Sequence, residues 1–205
     1  MPLFQRLGHS AGPFAGLIAT VLFLLATAGF GMALEGYGMA RHPLTLLGAG
    51  GVQYALAFNL LAFVLPGLLG VWVVLQFMRR LPARASGLQR VGAQMLLLST
   101  LAFIGIGLLP LDADDLTSRA NQLHASAWML WVVAFIPGAL LVSLGARGQP
   151  GWSAVASLSA AAALAVLLGA FVLGMMMPAP LAQRLAFLAW LVWLAALLPL
   201  APRRA

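Results

Sequence analysis

Six apolar stretches separated by short polar connections run the length of the chain, at roughly 13–34, 53–77, 91–110, 122–144, 152–177 and 183–201. No other feature constrains the fold as tightly. Crossing a bilayer as an α-helix takes about 20 predominantly apolar residues, and a helix satisfies each backbone N–H and C=O internally where water is absent. Within the six stretches the basic and acidic side chains reduce to His124 and Arg184, each near an end. The pattern predicts an all-α integral membrane protein, with residues 1–205 forming a single six-transmembrane-helix bundle. Short loops make consecutive helices antiparallel neighbours. Arg6, the first apolar run and Ala26-Thr27-Ala28 have the look of a secretory leader. The run continues to Leu34, however, long enough to span, and it is expected to remain as the first helix.

Charge supports the same class. Only 7% of the residues are charged against 63% hydrophobic, whereas soluble domains carry about 25% charged residues. So few charges cannot clothe a water-facing surface. The net charge of +7 would suit nucleic acid only if it formed a basic patch on a folded surface; here the arginines fall between apolar spans, so no nucleic-acid partner is expected. Cysteine is absent, which excludes disulfides, thiolate metal sites and thiol redox chemistry. Lysine is absent too, and with it any Schiff-base chemistry.

The arginines also orient the chain, because cytoplasmic loops carry the excess of basic residues. Arg6, Arg79, Arg80, Arg84, Arg90, Arg147, Arg203 and Arg204 fall on one side; Arg41, Arg119 and Arg184 fall on the other. The eight-arginine side is expected to be cytoplasmic, giving an inner-membrane protein with both termini inside. Trp128, Trp131, Trp152, Trp190 and Trp193 are expected as interfacial anchors. Met175-Met176-Met177 is expected as apolar filler rather than a soft-metal site, since no cysteine accompanies it. Pro66-Gly67 and Pro137-Gly138 echo each other in spans two and four and are expected to kink both.

All four acids (Glu35, Asp112, Asp114 and Asp115) fall on the external side with most of the remaining polar groups. Candidate binding residues there are Glu35, His42, Asn59, Asp112, Asp115 and His124. Clustered carboxylates with a histidine suit a cation or a general acid–base pair, since like charges raise one pKa. The plainer alternative is that the aspartates cap local structure and pair with Arg41 or Arg119. An amide at the depth of Asn59 should face the bundle interior, hydrogen-bonded to a neighbouring span. The Gly-rich segment 35–52 is expected to be irregular or partly re-entrant, and long enough to fold back and bring His42 towards Asp112.

Three runs carry a family resemblance: Arg41-His42-Pro43-Leu44-Thr45-Leu46-Leu47-Gly48; Phe58-Asn59 followed by Phe63 and Gly67; and Gly107-Leu108-Leu109-Pro110-Leu111-Asp112 with His124 beyond it. They resemble a six-span prokaryotic membrane family catalogued as domain of unknown function nine hundred and ninety-eight, itself distantly similar to the Frag1, DRAM and Sfk1 proteins. The resemblance covers roughly residues 10–200. Leu109 stands where the commoner version has Phe. What it implies is fold and membrane location, with no activity or cofactor attached.

Two function classes follow. The first is a protein that binds membrane lipid or a small molecule in an outward-facing polar pocket, as an accessory subunit or an oligomer. The second is an intramembrane enzyme using Asp and His chemistry on a lipid or lipid-linked substrate. The chain has no Gly-x-Ser-Gly, no His-Glu-x-x-His and no lysine-bearing phosphatase motif, and a single spanning histidine cannot ligate haem from two sides. No metal site is assigned.

Overall fold

The computed structural model describes residues 14–115 and 117–203. Six helices are long and apolar enough to cross a membrane: α1 (Ala15–Ala33), α2 (Ala55–Arg80), α3 (Gly87–Leu108), α4 (Arg119–Ala146), α5 (Ser153–Met175) and α6 (Ala179–Leu200). Sequential neighbours pack together, α1 also packs on α6, and α2 meets α6 across the bundle. The six spans expected from hydropathy are all present.

Helices α3 and α4 start earlier than their apolar runs because polar first turns are capped. Ser86 Oγ accepts the N–H of Gln89, and Ser118 Oγ accepts that of Asn121, each at 3.3 Å. A capping serine replaces an N–H acceptor that the helix itself cannot supply. Hydropathy is blind to such turns; the Ser-x-x-Gln and Ser-x-x-Asn spacing is the signal that reveals them.

The loops sort into two ends. At the acidic end, Gly50 N–H donates to Leu111 C=O at 2.8 Å, which joins the α1–α2 and α3–α4 connections. At the basic end, Gln149 Nε2 donates to Gln89 Oε1 at 2.9 Å, and Arg80 reaches carbonyls at the close of α6. Glu35 and the three aspartates belong to the first end; Arg79, Arg80, Arg84, Arg90, Arg147 and Arg203 belong to the second. Arg6 and Arg204 lie outside the described residues.

The centre is aromatic. Phe103 stacks on Trp190 at 4.3 Å, Trp131 lies 4.9 Å from Phe187, and Phe23 and Phe63 meet edge-on at 6.2 Å. Five helices thus contribute to one cluster, in the offset and edge-to-face geometries that ring quadrupoles favour. Here the tryptophan expectation is corrected. Trp131, Trp190 and Trp193 are fully buried in the bundle, not at its rim. Their helices begin at Arg119 and Ala179, which places each ring well along its helix. Met175 and Met176 are exposed, so they do not fill the core.

Small residues bring the helices close, as is usual when lipid supplies no hydrophobic drive between them. The two Pro-Gly pairs share one consequence. A Cβ on Gly67 would lie 3.1 Å from Ile104 N, and one on Gly138 would lie 3.1 Å from Gly92 O, so both glycines face α3. Just before Pro66, α2 makes a π-helical turn over Leu60–Val64. A second π-turn occupies Leu168–Val172 of α5.

Candidate functional site

The segment between α1 and α2 folds back on the bundle. Its 3-10 turn, Leu44–Gly48, buries Leu44 and Leu47. Asn59, buried one residue before the π-turn, donates from Nδ2 to Gly48 C=O at 2.9 Å. Gly48 admits this contact because the amide occupies the space a Cβ would take, with Asn59 Cγ 2.6 Å from that point. Gly107 on α3 leaves room for Asn59's own backbone in the same way. The amide is interior as expected, but its partner is the fold-back loop rather than a neighbouring span, so it ties that loop to α2.

The acidic loop is organised by its own turns. Asp112 Oδ1 accepts the N–H groups of Asp114 and Asp115 at 3.0 and 3.2 Å. Asp115 Oδ1 accepts from Thr117 N at 2.9 Å and from Thr117 Oγ1 at 2.7 Å. These two bonds hold the exposed Asp115 carboxyl below the usual carboxylate range, since both favour the ionised form. Asn121 braces the loop, accepting from Asp112 N at 2.8 Å and donating to the carbonyls of Asp112 and Asp115 at 2.7 and 2.8 Å. Buried His124 has Nδ1 2.7 Å from Leu109 C=O at the end of α3. A carbonyl only accepts, so Nδ1 carries the proton.

The candidates thus distribute over several local structures. Asn59 belongs to the Gly48 turn, Asp112 and Asp115 to the acidic loop, and His124 to the α3 terminus; Glu35 is exposed beyond α1. What meets the acidic loop from the fold-back segment is Gly50, whereas His42 turns towards α6. Among the described residues no group of three His, Cys, Asp or Glu could hold a metal ion.

His42 belongs to a cluster that hydropathy and spacing did not single out. Arg184, nine-tenths buried in α6, donates from Nη1 to Pro180 C=O at 2.8 Å and to His42 C=O at 3.3 Å. Its Nη2 donates to the Tyr37 hydroxyl and again to His42 C=O. Tyr37 OH donates to Pro43 C=O at 3.4 Å, and its ring stacks on the His42 imidazole at 5.7 Å. His42 Nδ1 accepts from Gly38 N at 2.9 Å. Burial pushes the Tyr37 phenol above its ordinary value, while Arg184 pulls it back. The guanidinium is therefore held by neutral oxygens and by the Tyr37 ring 6.0 Å away, with Nε buried and unpartnered. The available signal was an arginine within an apolar stretch, where a charge is retained at a cost.

One concavity is almost wholly apolar. A groove of about 600 Å³ runs between α1 and α2, lined by Leu22, Leu25, Gly29 and Ala33 on one wall and by Leu61 and Tyr54 on the other. Gly29 opens it, since a Cβ there would meet nothing within 4 Å. Tyr54 closes the acidic end in the left-handed region, with φ 62°. No other non-glycine among the described residues has a positive φ. A bulky residue in that region is strained, and strain of ~1–3 kcal/mol persists only where surrounding structure enforces it.

Neither the curated proteins nor the solved structures yield a match to this chain. A family model described as "Protein of unknown function (DUF998)" matches residues 17–198, from the first turn of α1 to the last of α6. That span includes the fold-back loop, the acidic loop and the groove, so this six-helix chain belongs to the DUF998 family.

Proposed function

We propose that this protein binds a membrane lipid, taking one hydrocarbon chain into the α1–α2 groove with the polar part beside Tyr54 and the fold-back loop. The groove carries the reading: it is apolar, open to the side, and ends where polar loops begin. In a bilayer its contents are lipid chain rather than water. Lipid tails are as apolar as leucine, so shape selects the occupant more than any hydrophobic drive. Binding is the preferred reading because the groove is a formed concavity, whereas the bonds of Asp112, Asp115 and His124 serve the local backbone of separate turns.

Gly29→Leu is the discriminating variant. Its side chain enters open space, so the fold should be kept while the groove is filled. Native mass spectrometry of protein taken into neutral detergent should then show lipid retention weakened about tenfold, or ~1.4 kcal/mol. Unchanged retention in a folded variant would defeat the proposal.

With the basic end cytoplasmic, as the arginine distribution favours, the groove opens to the outer leaflet. Reporters fused after Arg80 and inserted near Thr117 should read as inside and outside respectively. The opposite readings would reverse the leaflet.

A further inference from the structure

At the basic end, a cleft of about 410 Å³ lies between the ends of α2 and α6, with Arg80 and Arg203 both in its lining. Helix geometry fixes Arg80. The Leu198 carbonyl would ordinarily receive the N–H four residues on, but that residue is Pro202, which has none. Arg80 Nη1 supplies the missing donor and also bonds Ala201 C=O at 3.2 Å. Its Nε and Nη2 take no partner among the described residues. Gly151 adds a further wall, at φ 78° and with the point for a Cβ 3.5 Å from Pro202 Cγ.

Two arginines, Arg80 and Arg203, therefore line one cleft, and no acidic side chain of the protein can neutralise them. All four Asp and Glu residues lie at the opposite end. We infer that the cleft binds the phosphate of an anionic lipid headgroup. A planar guanidinium with free N–H donors matches phosphate oxygens, and basic pockets at span ends recognise such headgroups. The lipid source is favoured over free phosphate by position. The cleft lies where two spans end, and exposed Leu200 and Pro199 line it, offering apolar contact to a tethered chain.

The site is distant from the groove and independent of it, so Gly29→Leu should leave it intact. The test titrates phosphatidylglycerol, phosphatidylcholine and inorganic phosphate against the full chain in neutral detergent, read by native mass spectrometry. Phosphatidylglycerol should bind at least about tenfold more tightly than phosphatidylcholine. Arg203→Gln, a change at an exposed position, should weaken it about tenfold, and Arg84→Gln, outside the cleft, by no more than about twofold. Equal losses from both variants, or none from Arg203→Gln, would overturn the site. Displacement of the lipid by millimolar inorganic phosphate would overturn the lipid assignment.

Discussion

Gly16→Val should separate α1 from α6 and destabilise the bundle by about 3 kcal/mol or more, the upper range for overpacking. A Cβ at this position would lie 2.6 Å from Leu194 C and 2.7 Å from Ala195 Cα. Both are backbone atoms, so no rotamer change relieves the contact and the helices themselves must part. Their parting would also stretch the bond from Thr20 Oγ1 to Leu191 C=O, now 3.2 Å, and lift Phe23 from Phe187. Thermal unfolding in detergent, followed by tryptophan fluorescence, reads the effect, because Trp190 lies in the aromatic cluster. Gly29→Leu on the same helix is the matched control. With open space at that position and a better helix former replacing glycine, its midpoint should not fall. Similar losses from both variants would mean that α1 is not seated as described.

The second large effect is expected at Gly48. Gly48→Ala directs a methyl into the Asn59 amide, 2.6 Å from Cγ and 2.9 Å from Nδ2, and should cost about 1–3 kcal/mol. The damage should be local, appearing as faster hydrogen exchange across residues 44–51 while α3 and α4 stay protected. Asn59→Ala also loosens the turn, because it orphans the buried Gly48 carbonyl at a cost of about 1–3 kcal/mol. In combination the two should be far from additive, since removing the amide vacates the space the new methyl needs. A double-mutant cycle measures that coupling directly. Additive costs would show that the two residues do not share this space.

The reach of the sequence differs between the scaffold and the site, for physical reasons. Lipid forces every spanning segment to be apolar and internally bonded, so composition alone marks six helices. Asn59 was legible as an interior amide on the same ground, since hydrocarbon offers it no other partner. The tryptophans were not, because an indole is equally at home at an interface and in an aromatic core. Trp131 and Trp190 are decided by packing with Phe103 and Phe187, which no local pattern reports. Asp112 and Asp115 admitted two readings from spacing alone, and the bonds they make are to nearby backbone N–H groups. Arg184 was visible as an anomaly in span six. That its partners would be Tyr37 and the His42 carbonyl depends on the path of a loop more than 140 positions away in sequence. The groove was hidden for a different reason. It is made by what Gly29 lacks, and an absence of side chain at a helix surface leaves no periodic trace.

The most direct test of lipid binding is photocrosslinking with a phospholipid carrying a diazirine along its acyl chain. The protein is reconstituted in nanodiscs and adducts are mapped by peptide mass spectrometry. The groove predicts that label concentrates on residues 22–33 of α1 and around Leu61 of α2, and that Gly29→Leu removes it from both. Label spread evenly over the exposed faces, with Phe171 and Val172 of α5 marked as strongly as Leu25, would show only a bilayer surrounding the bundle and would contradict the site.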